Sequence, residues 1–229
     1  KNTSRTEEHR ITVSRPELDY SKLPQLLITE VVPESTKVNG ADGYEFIEIY
    51  NNTDRDIPFK DYKIQYRYGT DPETDVIWKS VPNDFIIPSK GTVVFWIIHD
   101  KNREKTVTDF NAHYKTNLVE NKEIVKIYSS GMANRSTRGI VIATNTDIEM
   151  SVAYYNEESG VDDTTANKGI LYKYPVDGTK QMVKISAKKE AATPGRVTSA
   201  QVPAQTVQVP EDTTPPTVED VTGKTETNQ

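Results

Sequence analysis

The stretch Tyr62-Lys63-Ile64-Gln65-Tyr66-Arg67-Tyr68 decides the fold class. Positions 62, 64, 66 and 68 carry aromatic or apolar side chains, and 63, 65 and 67 carry polar ones. Successive side chains of a strand point to opposite faces, so this period of two marks a strand with one face toward a core. Working outward, Tyr44–Tyr50 alternates as well: Tyr44, Phe46, Glu48 and Tyr50 share one face, Glu45, Ile47 and Ile49 the other. Thr92–Ile98 is an unbroken β-branched and aromatic run, the pattern of a strand buried on both faces. Gln25–Val32 is an apolar run that stops at Pro33, and Asp75–Ser80 gives a weaker signal. Glu123–Tyr128, Gly139–Thr144, Ile148–Tyr155, Leu171–Tyr174 and Gln181–Ser186 complete a set of about ten short strands separated by turn residues. That set predicts an all-β sandwich or barrel.

One segment departs from the pattern. Val107, Phe110 and Tyr114 fall at i, i+3 and i+7, which puts them on one face of a short helix over Thr106–Lys115. Thr106 or Thr108 supplies its N-cap. The expected placement is a lid of roughly three turns on one end of the sandwich. The predicted core comprises Ile28, Phe46, Ile47, Ile49, Ile64, Val94, Trp96, Ile98, Ile127, Ile142 and Val152. Phe46 and Ile47 conflict in parity, so one of them needs a cover from the N-terminal segment or the helix.

The chain divides into three parts. Residues 1–24 form a polar N-terminal extension with one short strand signal at Ile11–Val13. Residues 25–197 form the sandwich. Residues 198–229 have no aromatic residue, no Leu and no Ile; they carry five acidic groups against Lys224 alone, with four prolines interleaved among Thr, Gln and Val. Such a segment buries too little apolar area to offset its ordering entropy, so it is expected to be an acidic Pro/Thr-rich linker. Its end, Glu211-Asp212-Thr213-Thr214-Pro215-Pro216-Thr217-Val218, resembles the start of a further Ig-like domain. Within the same tail, Thr206–Pro210 alternates as a strand does. Val207 and Val209 are therefore expected against a sheet edge. Lys1 in place of a start methionine leads to the expectation that the chain begins within a longer one.

Composition excludes several classes of function. The chain has 229 residues, 28 Lys and Arg against 34 Asp and Glu, and a net charge of −6. No basic face of the kind a nucleic-acid binder needs is expected. The densest basic cluster, Lys101, Arg103 and Lys105, is diluted by Asp100 and Glu104. Cysteine is absent, which excludes disulfides, a thiol nucleophile and a Cys-based zinc site. No apolar run approaches the ~20 residues of a membrane helix.

Paired-metal hydrolysis needs clustered Asp, His and Asn, yet His9, His99 and His113 are scattered, and none lies in an Asp-x-His or Gly-Asn-His context. There is no Gly-x-Ser-x-Gly and no phosphate-cradling glycine loop before a helix. Glu30 and Glu48 have the residue type of a general acid/base pair, but both are mid-strand, where a structural role is favoured. Asp71–Asp75 and Val161–Thr164 offer oxygen ligands for calcium without EF-hand spacing, and read as ordinary turns. No catalytic residue, metal site or cofactor is predicted. The candidate binding patch is aromatic: Tyr62, Tyr66, Tyr68 and Trp78, a stacking platform for sugars or peptides. Trp78, beside Asp75 and Lys79, is expected to be the more exposed of the two tryptophans.

Four segments, in order, resemble the lamin tail domain family. They are Leu27-Ile28-Thr29-Glu30-Val31; Tyr44-Glu45-Phe46-Ile47-Glu48-Ile49-Tyr50-Asn51-Asn52-Thr53 with Ile57–Ile64 after it; Ile87-Pro88-Ser89-Lys90-Gly91 before a buried strand; and the closing Thr193-Pro194-Gly195. The helical insert, Gly40-Ala41-Asp42-Gly43 and Asn117–Asn121 are similar to bacterial forms. They look like the N-terminal module of large exported proteins of Gram-positive bacteria, some of which carry a calcineurin-like metallophosphoesterase domain further along. The resemblance implies an Ig-like β-sandwich at the cell surface or outside the cell. It implies a non-catalytic interaction or spacer role, a monomer, and a protein or glycan partner that the sequence leaves unnamed. The alternatives are an accessory carbohydrate- or peptide-binding module serving a neighbouring hydrolase, and, more remotely, a stand-alone enzyme.

Overall fold

The computed structural model describes residues 17–209. Among them the main strands are β1 (Leu26–Val32), β4 (Glu45–Asn51), β6 (Tyr62–Tyr68), β10 (Thr92–Ile98), β11 (Ile124–Tyr128), β12 (Arg138–Thr144) and β13 (Glu149–Tyr155). Shorter ones are β2 (Lys37–Val38), β3 (Ala41–Asp42), β5 (Ile57–Pro58), β7 (Val76–Trp78), β8 (Ser80–Val81), β9 (Ile86–Ile87), β14 (Ile170–Lys173) and β15 (Val183–Ser186). Each strand expected from alternation is present. The additions to the expected ten are mostly two-residue pairings, too short to leave a periodic signal. The strand signal at Ile11–Val13 lies outside the described residues.

Two sheets face one another. One runs β15-β14-β1-β4-β10-β11-β8, the other β13-β12-β6-β7. Ile28, Ile47, Ile49, Phe95, Ile97 and Ile127 of the first meet Ile64, Tyr66, Ile140, Ile142 and Tyr155 of the second in one buried cluster. This is the Ig-like sandwich, with alternate residues of both sheets turned inward.

The parity conflict on β4 is resolved by a second core. Phe46, Val94, Trp96 and Ile98 point out of the sandwich and are covered by helix α1 (Val107–Tyr114) through Val107 and Phe110. The Phe46 and Trp96 rings lie 5.9 and 5.4 Å from Phe110. The expected lid is thus on the outer face of the larger sheet and not at an end. The reason is topological: β10 and β11 are parallel, and parallel neighbours need a crossover, for which a helix over the sheet face is the usual solution. Thr106 and Asp109 close the N-terminus as a capping box, and Lys115 ends the helix in left-handed geometry. The eleven residues predicted as core are all buried. Val152 belongs to a third, small cluster with Val141 and Ala143, apart from the inter-sheet core.

The packed chain runs past the boundary drawn at residue 197. Gln201 is buried, accepts the Thr198 N–H and donates Nε2 to the Thr29 carbonyl at 2.8 Å. Val207 is buried and bridges Thr53: its N–H meets the Asn52 carbonyl at 2.8 Å and its carbonyl accepts from Asp54 N. Val209 N donates to the Asp54 carboxylate at 3.1 Å. Val207 therefore lies where the alternating tail pattern placed it, beside the chain just beyond β4, whereas Val209 forms no β-bridge among the described residues and meets the Asp54 side chain instead. Asn52 also donates its N–H to Gln25 O and its Nδ2 to Pro24 O. The chain enters and leaves the described fold at one place.

Candidate functional site

Of the four patch residues, the structure brings two together in a cleft. β6 pairs antiparallel with β7, setting Ile64 opposite Trp78 and Tyr66 opposite Val76. Tyr66 is 2% exposed and belongs to the inter-sheet core; its hydroxyl accepts from Ala133 N at 2.8 Å. Tyr68 is exposed, with the Arg138 guanidinium 4.6 Å from its ring centroid. Tyr62 and Trp78 are half-buried and line a cleft of about 510 Å³. Trp78 stacks one face on Tyr66, with ring centroids 4.3 Å apart and planes 20° apart. Trp78 is thus half-buried where Trp96 is fully buried, the more exposed of the two tryptophans as expected, and this stacking supplies part of its cover.

The cleft sits where the chain changes sheets. β7 is the edge of the smaller sheet and β8, pairing with β11, is the edge of the larger. Lys79 alone separates them. Sequence reading missed Lys79, Ser80 and Asn83, which also line the cleft. Ser80 is 7% exposed, and its enclosed Oγ has no hydrogen-bond partner among the described residues. A larger groove, of about 820 Å³, runs between Pro88–Thr92 and Val119–Glu123. No enclosed, unpartnered side-chain atom lies in its lining, so the smaller cleft is the better-built site.

Buried acids are placed for structure. Glu30 and Glu48 stand opposite each other on β1 and β4, both fully buried. Glu30 accepts the Thr193 N–H and hydroxyl, both at 3.0 Å. Glu48 accepts from the Thr29 hydroxyl at 2.6 Å, Gly195 N at 2.7 Å and Arg196 N at 3.2 Å. The two carboxylates thus clasp the segment 193–196. Gly169 packs so close to Glu30 that a Cβ there would collide with the carboxylate. Burial, partly offset by the Thr193 bonds, pushes the Glu30 carboxyl up to about 7. Burial and the neighbouring Glu30 push Glu48 well up, against the Thr29, Gly195 and Arg196 bonds. Glu45 is also buried and pushed up, and it accepts from Met132 N at 2.9 Å. None of these acids opens on a cleft, so the acid/base geometry of a glycosidase is not formed.

The other sequence candidates are engaged likewise. His99 caps a short 3-10 turn by accepting from Lys101 N, and His113 stacks on Tyr44 at 3.9 Å while bonding Asn167. His9 lies outside the described residues. Asp75 is held by Arg67 through both oxygens, at 2.7 and 2.8 Å. Asp71 accepts from Glu73 N and Asp162 from Thr164, while Asp163 pairs with Lys184 at 2.7 Å. Among the described residues no three His, Cys, Asp or Glu side chains converge as a metal site would require. Nor is any helix there long and apolar enough to cross a membrane. In the basic cluster, Arg103 is taken up by Asp100 and by the face of Tyr128.

Comparison with known proteins adds two findings. The model of a family described as Lamin Tail Domain matches residues 21–157. A protein of Bacillus subtilis (strain 168), "Uncharacterized protein YvnB", is 40% identical over 222 residues, covering 96% of this chain. The chain spans 17% of that relative's length.

Proposed function

This chain belongs to the lamin tail domain family, and from that premise we propose that it is a non-catalytic interaction module of a larger, exported, cell-surface-associated bacterial protein. The observation that carries this is the use made of its acidic groups. Glu30, Glu45 and Glu48 are enclosed and bonded to backbone N–H groups of distant loops, a task that leaves them unable to meet a substrate. Catalysis in the parent protein, a metal-dependent phosphoester hydrolysis in this reading, then lies in another part of the longer chain. Meeting of the incoming and outgoing chain at Asn52 favours interaction over spacing, because such a module adds little length between its neighbours.

The test has two arms. The purified chain, with and without Mn²⁺, is offered a generic phosphodiester, and no turnover above a mock-purified control is expected. Turnover that survives repurification overturns the non-catalytic reading. Fractionation of cells making the parent protein, with protease shaving of intact cells, is expected to find the module at the surface; a protected cytoplasmic pool overturns the exported reading.

A further inference from the structure

We infer that the cleft between Tyr62 and Trp78 is a saccharide site whose occupant is a pyranose glycan carrying an acidic group. The inference rests on the interaction-module reading and names the ligand class for it. Trp78 gives one face to Tyr66 and lines the cleft with the rest of its half-buried ring. A sugar ring has an apolar C–H face that packs on such a surface, while its hydroxyls seek hydrogen bonds at the rim. Those bonds are on offer. The Trp78 Nε1, the Tyr62 hydroxyl and the Asn83 side chain have no partner among the described residues. Asn145 donates its Nδ2 to the Lys60 carbonyl at 2.8 Å, which leaves its side-chain oxygen.

Two further features select the occupant. Ser80 holds an enclosed, unpartnered hydroxyl at the cleft. Such a group is rarely left unsatisfied; its Oγ is shielded from solvent in the chain alone, and a bound polyol satisfies it once the Ser80 side chain turns toward the cleft. The charged side chains that line the cleft are both basic, with the Asp61 carboxylate acting on Tyr62 from outside the lining. Lys63 is neutralised by Asp147 at 2.5 Å, Lys79 has no ion pair among the described residues, and no carboxylate lines the cleft. An acidic sugar supplies the missing charge. Its volume, about 510 Å³, lies in the range of small-ligand sites.

The experiment is an array of acidic and neutral pyranose oligosaccharides probed with the full chain, followed by titration calorimetry on the strongest binder. Acidic glycans are expected to bind more strongly than their neutral counterparts. Trp78→Ala is expected to weaken binding at least about tenfold, the scale of one aromatic stacking contact. Because Trp78 also packs on Tyr66, Lys79→Glu and Ser80→Ala guard against a folding artefact. Lys79→Glu, at an exposed position, is expected to abolish the preference for acidic over neutral sugars. Ser80→Ala is expected to weaken binding several-fold while leaving the melting temperature unchanged or raised, which a purely structural hydroxyl would not do. An array with no binder overturns the inference. So does binding that is indifferent to all three substitutions. Capture of peptides without glycans overturns it too, but leaves the interaction-module reading standing.

Discussion

Replacing Glu30 with Gln is expected to remove a pH dependence that the clasp builds into the fold. The Glu30 carboxyl rises from its ordinary 4.5 to about 7 because burial opposes its charge more than Thr193 supports it. A carboxyl raised on folding makes the folded state bind the proton more tightly than the unfolded chain. Its contribution to stability is therefore fully present below about pH 4.5, declines as the pH rises, and is gone above about pH 7. At about 1.36 kcal/mol per pH unit, the shift corresponds to roughly 3 kcal/mol. Glu48, facing it across the strand pair and also raised, acts in the same direction. Gln at position 30 keeps an oxygen for the Thr193 N–H and cannot ionise. Urea unfolding of both proteins at about pH 5 and about pH 8 forms the cycle. The native chain is expected to lose roughly 2.5 kcal/mol more than the variant between the two, or about 5–10 °C in melting temperature for a domain of this size. Equal losses would refute the reasoning, and so would a native chain that gains stability with pH relative to E30Q.

Three other outcomes follow from the packing. Gly169→Ala drives a Cβ into the Glu30 carboxylate and is expected to cost about 1–3 kcal/mol or more in the urea midpoint. Arg67 is 3% exposed and neutralises Asp75 and Glu149; Arg67→Ala leaves the half-buried Asp75 without its partner and is expected to cost about 1–3 kcal/mol in chemical unfolding. A chain ending at Val197 loses the Gln201 and Val207 contacts and is expected to melt more than about 5 °C lower by calorimetry; an unchanged midpoint would return residues 198–209 to linker status.

What the sequence made legible is what depends on near neighbours. Alternation in Tyr62–Tyr68 predicts β6, the unbroken run Thr92–Ile98 predicts a strand covered on both sides, and the spacing of Val107, Phe110 and Tyr114 predicts α1. Contacts between distant parts of the chain left no such trace. Thr193 lies 163 positions from Glu30, and nothing local to either marks the bond. Val207 was visible as part of an alternating pair, yet the proline- and threonine-rich composition around it drew the domain boundary ten residues too early. The aromatic patch was half legible. Parity put Tyr62, Tyr66 and Tyr68 on one face, but depth along the strand separates them: Tyr66 in the core, Tyr68 at the exposed end, Tyr62 in the cleft. Lys79 and Ser80 gain meaning only from the passage of the chain between two sheets, which no periodicity records.

The clasp at Glu30 and Glu48 also has an order in time. A ribosome delivers Glu48 148 residues before Arg196. At about 5–20 residues per second, that interval is on the order of 7–30 s. Until that segment arrives both carboxylates lack the backbone donors it brings, and in water an ordinary glutamate is ionised. A β1–β4 pair formed before that segment would therefore carry two negative charges where Thr193–Arg196 later docks. Charge on an unfinished sheet discourages other chains from docking there. On that order the side chains that end as enclosed acceptors would first guard an unfinished sheet, and change role when the last segment arrives.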